Sequence, residues 1–288
     1  MNKYVILMDV SGDIEQCVVD EYGLKFIPMQ YSLGEEMRTS YGREPEDIMK
    51  LFYDGQKSGD LTRTSQITPY MYEEYFEPYL KEGYSILYVG LSGGLSSTYS
   101  SACMAKESLK KKYPDLDIYP IDSLSASGGM GILIETALVN QKNGMSIEDN
   151  REALVKLVPH ARVTLMVQDL MYLKRGGRVS ATTAAVGSVL NIKPILKLNY
   201  VGKLETIAKK RGNRSALKYL YETFVENYEP TFGKVVYIAD ANCKSLSDEL
   251  AQMILKNYPD AVIRQVTECP IIGAHTGPGT ILLCYYSK

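Results

Sequence analysis

The sequence predicts an α/β fold in two domains: an N-terminal domain on a parallel sheet and a C-terminal α/β domain with a mixed sheet. Three observations predict it. Short apolar runs bounded by turn signals alternate with longer helical patterns, the signature of a sheet covered on both faces. The rhythm changes near Pro159, beyond which a hairpin signal appears. A chain of 288 residues is also too long for one small core. The division is expected between residues 160 and 161.

The elements follow in order. Residues 4–8 and 24–31 read as strands, and residues 45–56 as a helix. Residues 68–80 form a second helical pattern, with Pro69 in its first turn. Next come a strand at 85–89, a helix at 96–112, a strand at 117–121, and helices at 129–142 and 147–158. Past Pro159, residues 163–167 read as a strand, 169–174 as a short helix, and the small apolar stretch 181–190 as a tightly packed helix. The runs 195–199 and 203–208 flank "YVGK" as a hairpin. A helix at 213–227, a strand at 235–239, a helix at 246–257 and strands at 261–266 and 280–286 complete the pattern.

Composition excludes several function classes. A net charge of -2 gives no reason to expect nucleic acid or an anionic membrane as a partner. The five cysteines, at 17, 103, 243, 269 and 284, are scattered without a CxxC, which suits free thiols in a reducing compartment. Only His160 and His275 are present, so a zinc site lacks closely spaced ligands. The opening "MNKYVILMDVSGD" is too short in its apolar run for a secretory signal, and no run approaches membrane-span length. The expected location is the cytoplasm. The 23 tyrosines against 5 phenylalanines fit either a wet cleft wall or drift in composition.

Four segments carry chemistry. "LSGGLSSTYSSA", residues 91–102, lies between a strand and a helix, where open amides favour an anion. Ser96 there suits a helix cap or a ligand donor. No lysine follows Gly94, and "GLSGG" is not GxGxxG, so nucleotide fingerprints fail. In "RTSQITP", Thr64 and Ser65 precede a helix, again as caps or donors. "IIGAHTGPGT" sets His275 in a glycine-rich loop. "YLKRGGRVS" combines a glycine pair suited to end a helix with Lys174, Arg175 and Arg178, a basic patch or a solvated helix end.

In this order the segments resemble the DegV family over essentially the whole chain. "DVSGD" (9–13) is similar to the family's DSTSD-like opening, "TSQ" (64–66) matches, and "LSSTY" (95–99) resembles LSGTY with Ser97 in place of glycine. "YLKRGGRVS" resembles YLxxGGR, "NIKPIL" (191–196) resembles IKPIL, and "GAHTGPG" (273–279) is the nearest match. The resemblance implies a long-chain fatty acid held in a buried cleft. Its carboxylate would be contacted by Thr64 and Ser96, with His275 completing the network and Ser65, Ser97, Thr98 and Thr276 nearby. It further implies presentation of that carboxylate to the ATP-binding subunit of a fatty acid kinase for acyl-phosphate formation, with Arg175 and Arg178 as candidates for docking the kinase or neutralising incoming phosphate. No catalytic residue, metal or cofactor of the chain's own is implied. The alternatives are a carrier of another amphipathic anion, or an acyl hydrolase with Ser96 as nucleophile and His275 as base.

Overall fold

The computed structural model describes residues 3–42, 44–180 and 191–288. The helix expected at residues 181–190 lies outside them. The chain opens with β1 (Tyr4–Asp9), α1 (Gln16–Tyr22), β2 (Lys25–Ile27), β3 (Met29–Leu33), β4 (Glu36–Ser40), α2 (Glu46–Ser58), β5 (Thr62–Thr64) and α3 (Pro69–Lys81). It continues with β6 (Ser85–Gly90), α4 (Thr98–Lys112), β7 (Ile118–Asp122), α5 (Gly128–Lys142) and α6 (Ile147–Leu157). Past a single 3-10 turn come β8 (Ala161–Met166), α7 (Met171–Arg175), β9 (Ile192–Leu198), β10 (Leu204–Arg211), α8 (Asn213–Asn227), β11 (Val235–Asp240), α9 (Lys244–Asn257), β12 (Val262–Thr267), α10 (Pro270–Thr276) and β13 (Ile281–Tyr286).

The described residues form three sheets. Strands β2-β1-β6-β7 form a parallel sheet, β4-β3-β5 a small antiparallel one, and β10-β9-β8-β13-β11-β12 a mixed one. The single strand expected at residues 24–31 is two. Pro28 has no N–H for a ladder, so β2 ends on β1 while β3 leaves to pair with β4 and β5. The last strand shows how the mixed sheet is covered. Ile281, Leu283 and Tyr285 face the core beneath α8 and α9, whereas Leu282, Cys284 and Tyr286 face the opposite core. Helix α5 packs on β1 and β6 on one side and on β8, β11 and β13 on the other.

Buried tyrosines are accounted for by partners inside these cores. Tyr72 and Tyr88 join hydroxyls, and Tyr88 donates to Asp9 at 2.6 Å. Tyr53 donates to the Glu268 carbonyl at 2.7 Å and Tyr237 to the Glu135 carboxylate at 2.9 Å. Each ring fills apolar volume while its hydroxyl is satisfied.

Candidate functional site

A cavity of about 520 Å³ opens where the three sheets meet, within the range of small-molecule sites. Its walls are Met29 of β3, Leu91 and Ala126 beyond the parallel sheet, Val163, Leu165 and Leu282 of the mixed sheet, and Ile271 and Ile272 of α10. Thr64, Ser65, Ser96, Ser97, Arg178, His275 and Thr276 also line it; no tyrosine does. The wet cleft wall considered for the tyrosines is therefore absent from this lining.

The parallel sheet places the serine loop. Strand order reverses between β1 and β6, the point where α/β sheets open a crevice at their carboxyl ends. Asp9, fully buried at the end of β1, accepts the Leu91 N–H at 3.0 Å and the Ser11 N–H at 3.1 Å, as well as both the Tyr88 and Ser11 hydroxyls. That carboxylate fixes the backbone from which residues 92–97 depart. Helix α4 then begins at Thr98, two residues later than expected. Ser96 Oγ accepts the Thr98 N–H at 3.2 Å and pairs with Thr98 Oγ1 at 2.9 Å. Ser96 thus lies one residue before the N-cap, Ser97, holds the first N–H of α4 and lines the cavity. Thr98 is fully buried outside the lining, and its hydroxyl steadies Ser96. Ser97 stands exposed at the rim with no side-chain cap bond.

Thr64 and Ser65 are not the caps of α3. Thr68 is, accepting the Met71 N–H at 3.3 Å. That leaves Thr64, at the end of β5, to meet His275 Nε2 at 2.8 Å. His275 sits in the last turn of α10, a helix where the sequence suggested a loop; Gly273 within it gives no helical signal, yet a Cβ there would stand 2.4 Å from the Tyr53 hydroxyl. Burial, then the neighbouring Arg178 charge, pushes the imidazole down from 6.5 to about 4. The ring is therefore neutral near pH 7. Its Nδ1 is buried without a partner among the described residues. An orphaned N–H is the rarer kind of unpaired group, so we assign the proton to Nε2. Nε2–H then donates to Thr64 Oγ1, and the threonine hydrogen is left to point at a ligand.

The glycine pair explains how "YLKRGGRVS" meets "GAHTGPG". A Cβ on Gly176 would stand 2.2 Å from His275 Nδ1, and one on Gly277 2.4 Å from the Tyr172 ring. Gly177, at φ +74°, ends α7, and the Arg178 N–H returns to the Leu173 carbonyl. Arg178 is half-buried on the cavity rim. It donates from Nε to the Leu95 carbonyl at 3.0 Å and from a terminal nitrogen to the Gly176 carbonyl. Arg175 lies outside the lining; its guanidinium stacks on Tyr172, 4.6 Å from the ring centre.

Thr276 lines the cavity, but its hydroxyl is engaged by Glu268 Oε2 at 2.7 Å. Glu268 is fully buried; burial first, then Asp13 and Asp240, raises its carboxyl well above the usual range. Three lining groups were absent from the sequence-derived set: Gln66, Lys203 and the Gly93–Gly94 backbone. Gln66 follows Thr64 within "TSQ", and Lys203 closes the "YVGK" hairpin signal. Among the described residues no cluster of candidate metal ligands occurs, and no helix is long and apolar enough to cross a membrane.

Comparison with known proteins bears on this site. Residues 3–288 match the model described as "Uncharacterised protein, DegV family". A DegV domain-containing protein of Clostridium perfringens is 34% identical, with 99% of this chain and 98% of that one covered. Among solved structures, DegV of Bacillus subtilis, described as a fatty acid binding protein, is 27% identical over the whole of both chains, with a TM-score of 0.83. The Fatty Acid Kinase (Fak) B3 protein of Streptococcus pneumoniae, loaded with linoleic acid, shares the fold at 22% identity and a TM-score of 0.86, with 99% of this chain and 100% of that one covered.

Proposed function

Because this chain belongs to the DegV family, we propose that it carries a long-chain fatty acid and presents the carboxylate to the ATP-binding subunit of a fatty acid kinase. The carboxylate lies against Thr64, Ser96 and His275; the tail fills the apolar cavity. The observation that carries this reading is the Thr64–His275 pair, 2.8 Å apart, on a cavity whose lining combines a few polar side chains with Leu, Ile, Val and Met.

The energetics agree. About 14 methylenes at about 0.8 kcal/mol each supply roughly 11 kcal/mol of gross transfer energy. Micromolar binding needs about 8 kcal/mol net, which leaves room for ordering costs. The tail sets affinity and the head group sets orientation, so hydroxyls and a neutral imidazole suffice at the polar end. The kinase supplies ATP, and the complex works in the cytoplasm.

The hydrolase reading is weaker. Ser96 Oγ pairs with Thr98, and His275 Nε2 with Thr64, so neither bond is the nucleophile–base contact that acyl transfer needs. Nor does any described carboxylate orient His275 Nδ1. Native mass spectrometry of the purified chain tests the proposal: a long-chain fatty acid should co-purify. The Thr64→Val/Ser96→Ala double variant should load labelled fatty acid poorly. Wild-type loading by that variant, or a bound mass of another lipid class, would reject the assignment.

A further inference from the structure

Phosphorylation changes the charge at the mouth of the cavity. A carboxylate oxygen bonds to the γ-phosphorus of ATP, the bond from that phosphorus to ADP breaks, and ADP departs. A head group of one negative charge becomes an acyl phosphate carrying nearly two. Thr64 and Ser96 offer hydroxyls, and neutral His275, whose Nε2–H is given to Thr64, adds no positive charge. Among the described residues two cations line the cavity, Arg178 and Lys203. Arg178 is half-buried and already donates to two backbone carbonyls. Lys203 is exposed, and its ammonium has no hydrogen bond or ion pair among the described residues.

The hairpin delivers Lys203 by construction. Asn199 Oδ1 accepts the N–H groups of Val201 and Lys203 at 3.1 and 3.0 Å, which fixes the turn. Ser92 Oγ donates to the Gly202 carbonyl at 2.8 Å, latching the tip onto the serine loop. The contact is so close that a Cβ on Gly94 would stand 2.5 Å from the Val201 carbonyl, and one on Gly202 1.9 Å from Ser92 Oγ. Nearby charges do not compete for the ammonium. Asp122, at the end of β7, accepts the Gly93 and Leu124 N–H groups, and Glu205 pairs with Lys197.

We propose that Lys203, held at the cavity mouth by the latched β9–β10 turn, distinguishes a dianionic phosphoryl head group from a monoanionic carboxylate. The inference rests on the lipid-carrier reading and adds to it the retention of the phosphorylated product. Charge-assisted contact with a second negative charge is where an uncommitted ammonium acts.

The test is calorimetric titration of the delipidated full chain with hexadecanoate and with hexadecylphosphonate, above the second pKa of the phosphonate. Lys203→Gln should weaken hexadecylphosphonate about tenfold and hexadecanoate by about threefold or less. Lys203→Arg should restore the ratio. Gly202→Ala keeps the lysine but displaces the turn, and should lose selectivity in the same sense. Lys218→Gln, an exposed charge on α8 paired with Glu222, should leave both affinities unchanged. Equal weakening of both amphiphiles, or of neither, by Lys203→Gln overturns the inference. If the wild-type chain binds neither, the carrier reading fails and this inference falls with it.

Discussion

The two ends of α10 hold buried polar groups in opposite conditions. At the first end, both oxygens of Asp13 are occupied: Oδ1 accepts the Cys269 N–H at 2.9 Å and Oδ2 the Ser127 hydroxyl at 2.6 Å. These donors sit at the starts of α10 and α5, so one carboxyl joins two helices. At the other end His275 has one partner, Thr64, and an empty Nδ1. Both ends are buried and both ionise abnormally. Burial raises Asp13 from 3.8 to about 6 and lowers His275 from 6.5 to about 4. A carboxylate with both oxygens matched is a fastening; an imidazole nitrogen left unmatched on a cavity lining is open to a donor.

Removing the fastening should have the largest effect. Asp13→Ala strands a buried N–H and a buried hydroxyl, and should cost about 3 kcal/mol of stability, read from urea midpoints. An unchanged midpoint would show that the two ends do not differ as argued.

Acid titration sharpens the contrast. His275 has a folded value below its unfolded one, so its contribution is present above pH 6.5 and is lost as pH falls through about 4. Asp13 has a folded value above its unfolded one, so its contribution is present below pH 3.8 and is lost as pH rises through about 6. The two slopes oppose each other between pH 4 and 6, and the raised Glu268 acts in the same sense as Asp13. Asp13→Asn removes one side of the balance. Its stability should fall toward pH 4 more steeply than the wild type's, by about 2 kcal/mol. Parallel curves would contradict the assignment.

At the His275 end the effects are on binding. Thr64→Val should leave the fold intact and weaken labelled fatty acid about tenfold, the worth of one charge-assisted hydrogen bond. Ser97→Gly should matter least. That exposed hydroxyl makes no cap bond, so affinity should shift by less than about threefold.

Much of this was readable from residue order. Pro69 after Thr68 marks a helix start, and Gly176–Gly177 marks a helix end; both are local chemistry that tertiary packing did not override. The convergence of Thr64, Ser96 and His275 on one cavity came through family resemblance, since they lie on β5, the loop before α4, and α10. The small sheet was illegible. Thr62–Thr64 is three residues long and Glu36–Ser40 is mostly polar, so neither shows an apolar period. Thr98 and Thr276 resemble Ser96 and Thr64 in type, yet one hydroxyl steadies a neighbour and the other meets Glu268. The direction of a side chain depends on contacts far along the chain, which a short motif does not contain.

Helix α5 has a mechanical consequence. Its glycines bring it against Tyr237, Val163 and the Asp13 carbonyl at distances a side chain would forbid, and it lies between the parallel and mixed sheets. The two sheets therefore cannot swing apart like the leaves of a hinge without tearing open a close-packed seam. On the proposed carrier reading, a lipid tail enters past yielding pieces at the perimeter, and the speed of exchange is set by those pieces and not by the thermal stability of the whole.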